Sequence, residues 1–324
     1  MGAFHVHAYQ RLDCARLVAV ADPDAGARRD ALRGQRATEY DDWRQLLDHA
    51  DQLDAVSIAC PSELHAEVTL AALEAGVDVL VEKPIATTLP DALRVRGAAR
   101  SAGRKLMVGH VERFNPVAKT LATALREGRL GRVFRVGATR VGPLPQRIRN
   151  AGVAIDLATH DLDLLQHLLD RQVVEVYADG GRFLHSSQED MLNCLARFGV
   201  DGGHVLGVLD VNWLTPEPRR ELTLVGERGM LRARFTDHTV EYVDAAADEA
   251  PKAGVPLPVR PEEPLLAELR AFAACIVDGG PEPVGAHDGV RALAAALAMR
   301  ESAAVRRPVR LLDIPAPRPL QAVA

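Results

Sequence analysis

The chain has 324 residues, of which 48% are hydrophobic and 26% are charged, and its formal net charge is −5. These values are typical of a globular protein that is long enough for two domains with separate cores. A negative net charge without a long basic run argues against a nucleic-acid-binding scaffold. No apolar run reaches the ~20 residues that span a bilayer, and no basic segment followed by an apolar one indicates an export signal.

The cysteines show no pattern that is typical of a metal site or a disulfide framework. There are four, Cys14, Cys60, Cys194 and Cys275, and they have no CxxC or Cys/His ligand spacing. This usage favours a reduced, cytoplasmic protein. We therefore expect cytoplasmic localisation, no membrane partner and no bound metal.

The first 115 residues alternate short apolar runs with helical patterns. Buried parallel strands are predicted at 16–22, 54–60, 77–81 and 105–109. The helices between them include 43–49, 62–75 with Ser62 as N-cap and Gly76 at its end, and 89–102 closed by Gly103. Such repeated strand–helix units imply right-handed crossovers. Residues 1–115 are therefore predicted to form a doubly wound, Rossmann-type α/β domain.

The pattern changes after about residue 131, where strands with period-2 alternation are separated by short turns. Strands are predicted at 133–141, 173–177, 194–198, 204–213, 220–225, 230–235 and 239–243, and helices at 156–169, 265–277 and 288–304. We predict an α+β domain over 116–312 with a large antiparallel sheet, and a Pro-rich tail at 313–324. The open face of such a sheet indicates a homo-oligomer, either a dimer or a tetramer.

The beginning of the chain raises the question of a dinucleotide-binding loop. Such a fold normally opens with a strand and G-x-G-x-x-G before a helix, and an acidic residue follows about 20 positions later. Asp22 follows Gly2 by that interval, so Gly2 would be the third glycine, packing the first helix, at 3–12, close to the sheet. Asp22 would then bind the ribose hydroxyls and repel a 2′-phosphate, which favours NAD over NADP. Alternatively, Gly2 is incidental and Asp22 is a turn former before Pro23.

On the first of these interpretations, the chain as written lacks the first β-strand and most of the glycine loop. We expect a misplaced start site to account for this. Tight NAD binding is then not expected of the chain as written, because the amides that hold the pyrophosphate are absent. The sheet would also have two unpaired edges.

Four segments in order resemble the glucose–fructose oxidoreductase/inositol dehydrogenase (Gfo/Idh/MocA) family of sugar dehydrogenases. They are CPSELH at 60–65, EKP at 82–84, VGHVERFNP at 108–116 and DLATHD at 156–161. The resemblance covers nearly the whole chain, and GHVERFNP is most similar to the branch that includes UDP-N-acetylglucosamine 3-dehydrogenases. It implies hydride transfer between nicotinamide and a secondary hydroxyl of a sugar or nucleotide sugar. Free-sugar or inositol oxidation, and a non-catalytic sensor on the same fold, remain alternatives.

The resemblance implies catalytic roles for Lys83, Asp156 and His160. It places Lys83 beside the nicotinamide and the reacting hydroxyl, where an ammonium polarises the alcohol oxygen. Asp156 and His160 are four residues apart and would share one face of a helix. His160 is the candidate proton acceptor because its usual pKa is near neutrality, and Asp156 would orient groups or contact the substrate. The alternatives are a surface lysine and a solvated helix start rich in acids.

The same resemblance implies binding roles for several other residues. Substrate candidates are His110, Arg113 and Asn115, together with Asp156, and Arg113 could bind a phosphate bidentately. Three further arginines, Arg140, Arg147 and Arg149, could add positive charge or could be solvated. The resemblance gives Pro61, Ser62, His65, Glu82 and Lys83 as cofactor candidates, and the spacing discussed above adds Gly2 and Asp22. Alternatively, Ser62 is only a helix cap and His65 a surface histidine.

Overall fold

The computed structural model describes residues 1–145, 151–184, 187–199, 203–245 and 254–311. Arg147, Arg149 and the predicted tail at 313–324 lie outside the described residues. Among the helices that are described, none combines the length and the apolar character needed to cross a membrane.

The first part of the chain builds two small parallel sheets. β1 (Ala19–Ala21) pairs with β2 (Thr38–Tyr40), and β3 (Ala55–Ile58), β4 (Asp78–Glu82) and β5 (Leu106–Gly109) form the second sheet. The accompanying helices are α1 (Gly2–Tyr9), α2 (Ala25–Leu32), α3 (Trp43–Leu47), α4 (His65–Glu74), α5 (Leu89–Ala102) and α6 (Pro116–Arg126). The predicted Rossmann-type α/β architecture is confirmed.

Two local features of this part differ from the prediction. β2 is short and mostly exposed, so no apolar run marks it in the sequence. The predicted cap at Ser62 is wrong, because residues 62–64 form a 3₁₀ turn and α4 begins at His65 without a side-chain cap. The predicted helix ends are confirmed, since Gly76 and Gly103 have φ values of 78° and 62°, which glycine adopts without strain.

The second part contains a nine-stranded sheet in the order β13-β12-β11-β10-β6-β9-β8-β7-β14. Its outer face exposes Tyr177, Leu195 and Leu206, where the predicted homo-oligomer contact would lie; that contact stays a prediction. The strands are β6 (Val133–Pro143), β7 (Val173–Gly181), β8 (Met191–Phe198), β9 (Val205–Asn212), β10 (Leu214–Gly226), β11 (Gly229–Arg234), β12 (Thr239–Asp244), β13 (Val255–Leu257) and β14 (Val309–Arg310).

The large sheet is confirmed, but it is mixed rather than purely antiparallel, because β6 and β9 run parallel. A parallel pair needs a long crossover. Here the crossover consists of a five-residue π-helical turn (Ala154–Ala158), α7 (Thr159–Leu169), β7 and β8. The helix predicted from residue 156 therefore begins as a π turn. Asp156 lies in that turn and His160 in the first turn of α7.

The last two helices, α8 (Pro264–Val277) and α9 (Ala286–Val305), connect the two parts. Leu269 and Phe272 of α8 pack into the core around the second parallel sheet. α9 contributes Leu293 to that core and Met299 to the core of the large sheet. The backbone N–H of Val108 in β5 donates to the carbonyl oxygen at position 284, just before α9. The C-terminal helices thus complete the parallel-sheet core as well as their own.

Candidate active site

A cavity of about 170 Å³ lies beyond the carboxyl ends of β3 and β4. Ligands of open parallel sheets bind at this edge. A wider depression of about 420 Å³ lies before β1 and β2, between Arg16 and Arg36, away from the predicted catalytic residues. We assign the smaller cavity as the candidate site because its walls include Ser62, His65, Glu82, Lys83, Ile155 and Asp156.

Lys83 and Asp156 meet in the wall of this cavity. The Lys83 Nζ donates to the backbone oxygen of Asp156 at 2.9 Å and to its Oδ1 at 3.0 Å. The lysine side chain is 15% exposed and the aspartate side chain 28% exposed. The two contacts fix the ammonium between the end of β4 and the π turn. Turns of this kind are frequent at functional sites.

His160 is held as a neutral imidazole. Its Nδ1 is buried and has no hydrogen-bond partner among the described residues. Burial, and then the positive charges of Lys83, Arg140 and Arg220, keep the pKa of His160 well below its usual 6.5. The ring is therefore uncharged at neutral pH, and its surroundings favour negative charge nearby.

His65 and Glu82 stabilise the backbone around the cavity. The two ring nitrogens of His65 lie 2.7 Å from the carbonyl oxygen of Pro84 and 3.0 Å from that of Cys60. Glu82 accepts a hydrogen bond from the Nε2 of His5 at 2.9 Å. His65 thus connects the loop after β3 to the loop after β4, and Glu82 connects β4 to α1.

Arg113 lies in a buried ion-pair network rather than at an open surface. Its Nε and Nη2 donate to both carboxylate oxygens of Asp163 at 2.7 and 2.6 Å, and its Nη2 lies 3.2 Å from Asp288. His110 is buried beside it, with its Nδ1 3.8 Å from Asp163 and neither ring nitrogen hydrogen-bonded within the described residues. The guanidinium of Arg113, which the sequence suggested for a substrate phosphate, is therefore already paired with two carboxylates.

Asn115 and Arg140 belong to a second buried network. Arg140 donates to Asp161 through Nε and Nη2 and to Glu112 through Nη1 at 3.0 Å. Asn115 donates to Glu112 at 3.1 Å and caps α6 through its Oδ1. Burial raises the pKa of Glu112, but the charges of Arg140 and Arg220 outweigh it and hold this pKa below its usual value. Asp161, which Arg140 binds, is the residue next to His160 in α7.

Comparisons with known proteins show which family the chain belongs to. A family model described as an oxidoreductase family with an NAD-binding Rossmann fold matches residues 1–110, and the GFO/IDH/MocA C-terminal domain matches residues 118–232. The UDP-N-acetylglucosamine 3-dehydrogenase of Acidithiobacillus ferrooxidans is 30% identical over 308 residues, 93% of each chain. The chain belongs to the GFO/IDH/MocA oxidoreductase family.

Further comparisons support the assignment to the GFO/IDH/MocA family. The myo-inositol dehydrogenase Hyg17 of Streptomyces leeuwenhoekii is 31% identical over 317 residues, which is 94% of each chain. A solved structure of UDP-N-acetylglucosamine 3-dehydrogenase GnnA from Acidithiobacillus ferrooxidans superposes with a TM-score of 0.82 at 26% identity, covering 93% of both chains. The predicted resemblance is confirmed at the level of the family.

An NAD-binding fold implies a nicotinamide dinucleotide, and the residues around the cavity fit its nicotinamide end. The ammonium of Lys83 lies at the end of β4, and the Nδ1 of His160, in the first turn of α7, is buried and has no hydrogen-bond partner among the described residues. Asp22 follows β1 with an exposed side chain that accepts only the N–H of Asp24, at 2.8 Å, within the described residues. Its carboxylate can accept hydrogen bonds from ribose hydroxyls.

The remaining predicted cofactor residues lie at the beginnings of two helical segments. Pro61 and Ser62 open the 3₁₀ turn that follows β3. Gly2 begins α1, but a side chain at this position would have no atom within 4 Å. The close helix–sheet packing predicted for Gly2 is therefore wrong.

Three residues of these networks, Glu112, Asp288 and Arg220, were not predicted from the sequence. Glu112 stands inside the GHVERFNP segment and could have been singled out as an acid within a motif. Asp288, at the start of α9, contacts Arg113 only because the fold brings these distant segments together, so no local sequence pattern predicts the contact. Arg220 lies in β10, where the only signal is a pair of adjacent arginines.

The two buried histidines make stability depend on pH. Burial lowers the pKa of His110, as it does that of His160, from the usual 6.5. Both rings recover roughly that value on unfolding. Because the folded state then binds fewer protons, their contribution is complete above about pH 6.5 and is lost as the pH falls through the lowered values.

We therefore expect the free energy of unfolding, measured by urea titration, to decrease between about pH 6.5 and 5. The variant His110→Gln should show a smaller decrease over the same interval. If its pH dependence equals that of the unmodified protein, His110 is not a source of the effect.

Proposed function

We propose that this family member is an NAD-dependent dehydrogenase that moves a hydride between a secondary hydroxyl of a sugar and nicotinamide. The observation that carries the proposal is the pairing of Lys83 with Asp156 beside the neutral His160, at the carboxyl edge of the parallel sheet. A nucleotide sugar such as UDP-N-acetylglucosamine is the proposed substrate. The full-length similarity to a UDP-N-acetylglucosamine 3-dehydrogenase supports this choice.

Three side chains take part in the proposed proton transfer. Lys83 donates a hydrogen bond to the reacting hydroxyl and stabilises the negative charge that develops on its oxygen. His160 is unprotonated and accepts the hydroxyl proton. Asp156 positions the ammonium of Lys83. A nicotinamide bound at the cavity supplies the hydride acceptor.

The cofactor is proposed to lie across the carboxyl ends of β1, β3 and β4. Asp22 would accept hydrogen bonds from the adenosine ribose, and its charge disfavours the 2′-phosphate of NADP. The 3₁₀ turn at Pro61 and Ser62, together with Glu82, would border the nicotinamide ribose. His65 would position these residues through its hydrogen bonds to the backbone of Cys60 and Pro84.

A substrate panel tests the proposal. Because tight NAD binding is not expected of the chain as written, the purified protein is mixed with NAD at concentrations raised until the rate no longer increases. UDP-N-acetylglucosamine, N-acetylglucosamine, glucose or myo-inositol is added, and reduced nicotinamide is followed by absorbance. We expect the largest kcat/KM for the nucleotide sugar. A preference for myo-inositol, the substrate in the name of the Streptomyces relative, would favour cyclitol oxidation. Sugar binding without turnover, in either reaction direction, would indicate a sensor and refute the proposal.

A further inference from the structure

Arg220 lies in β10 of the large sheet, and its side chain is much more exposed than that of Arg140 beside it. In the β10–β6 pairing it stands directly opposite Arg140, so both side chains lie on the same face of the sheet. Arg140 is 5% exposed and saturated by Asp161 and Glu112. The Arg220 side chain is 54% exposed, and its closest carboxylate, on Glu112, is 3.7 Å away.

The guanidinium of Arg220 therefore keeps its donors available. Within the described residues it makes no hydrogen bond, and 3.7 Å is beyond hydrogen-bond distance. Glu112 already accepts from Arg140 and Asn115, which leaves it little capacity for a third strong contact. An arginine side chain stays protonated at any accessible pH. Arg220 is thus a permanent cation whose donors are open to a ligand.

Its charge acts on the reacting groups. Arg220 stands opposite Arg140, which binds Asp161, the residue next to His160. The charge of Arg220 helps to lower the pKa of His160, and the charge of Asp156 acts in turn on Arg220. The guanidinium is therefore close to the proposed site of proton transfer, on the side of the large sheet. Arg113, which the sequence suggested for a phosphate, is enclosed by Asp163 and Asp288.

We infer that Arg220 forms an anion subsite of the substrate pocket and binds a carboxylate or phosphate group carried by the sugar. A guanidinium presents two parallel N–H groups that match either anion bidentately. The inference rests on the proposed dehydrogenase function and adds a charge requirement to it. A neutral sugar fills the same pocket without this contact, so the subsite separates anionic from neutral substrates.

The test compares three variants with two pairs of ligands. Arg220→Gln removes the charge, Arg220→Lys keeps the charge but loses the planar fork, and Arg219→Gln is the matched control. Arg219 is the adjacent residue of β10, so it projects from the opposite face of the strand. Glucuronate against glucose probes a carboxylate, and UDP-N-acetylglucosamine against N-acetylglucosamine probes a phosphate. Thermal unfolding checks that each variant is folded.

Two readouts are taken for each ligand. One is kcat/KM with NAD, and the other is the dissociation constant from calorimetry without turnover. For the anionic member of at least one pair, we expect Arg220→Gln to lower kcat/KM and affinity by about 10- to 100-fold. The neutral partner should change by less than about threefold, and Arg220→Lys should recover part of the loss. Which pair responds distinguishes a carboxylate from a phosphate.

The outcomes separate this inference from the proposed function. Equal losses for the anionic and neutral members of both pairs, no loss in either, or the same loss in Arg219→Gln would refute an anion subsite. An absence of turnover with every ligand would refute the dehydrogenase proposal. In that case the dissociation constants still decide whether Arg220 binds the anion.

Discussion

Lys83→Met is expected to lower kcat by about a hundredfold to ten-thousandfold, the range typical for loss of a group that assists proton transfer. The ammonium of Lys83 is fixed by two contacts to Asp156, at 2.9 and 3.0 Å. The substitution removes this positive charge from the cavity wall. Methionine has a similar length and is uncharged, which isolates the effect of the charge. The measurement is steady-state turnover with the best sugar of the substrate panel.

The binding of NAD to this variant distinguishes chemistry from cofactor binding. We expect the dissociation constant for NAD to change by less than about threefold, since the proposed contact of Lys83 is with the reacting hydroxyl. Lys119→Met is the control, because Lys119 is exposed and pairs with Glu262, and neither residue lines the cavity. Equal losses in turnover and in NAD affinity would move Lys83 from the chemical step to cofactor binding.

Arg140→Met is expected to lower the free energy of unfolding by about 3–5 kcal/mol. The substitution leaves Asp161 and Glu112 buried without the guanidinium that pairs with both. Removal of one member of a buried charge network is costly because the remaining charges stay desolvated. The measurement is equilibrium unfolding in urea at neutral pH.

Arg232→Met is the matched control for this prediction. Arg232 lies in the same sheet and pairs with Glu241 at 3.5 Å, but its side chain is 40% exposed. An exposed pair contributes about 0–1 kcal/mol, so this variant should unfold near the midpoint of the unmodified protein. A loss below about 1 kcal/mol for Arg140→Met would show that water reaches the two carboxylates.

The fold class followed from hydrophobic patterning because the buried strands carry continuous apolar runs. β4 is the clearest case, since Val79, Leu80 and Val81 are fully buried and admit no polar alternation. β2 could not be predicted in this way, because it is three residues long and has an exposed side chain at Glu39. The parallel pairing of β6 with β9 depends on contacts between distant segments, which alternation within one strand does not encode.

Short sequence motifs predicted part of the candidate site. Lys83, Asp156 and His160 were singled out, and the structure brings Lys83 and Asp156 into contact. The spacing of Asp156 and His160 suggested one helical face, but a π turn cannot be recognised from that spacing. Arg113 and Asp288 are joined only after the last helices return to the parallel sheet.

The division of α9 between two cores has a consequence for synthesis. A Rossmann-type domain that spanned residues 1–115 alone could fold as soon as it left the ribosome. Here the core around β3–β5 also needs Leu269, Phe272 and Leu293, which are synthesised long after β5 itself. Until then its apolar surface is exposed, a state prone to aggregation and recognised by chaperones. Final assembly of this core, and of the Arg113–Asp288 contact beside it, must therefore await the synthesis of α8 and α9.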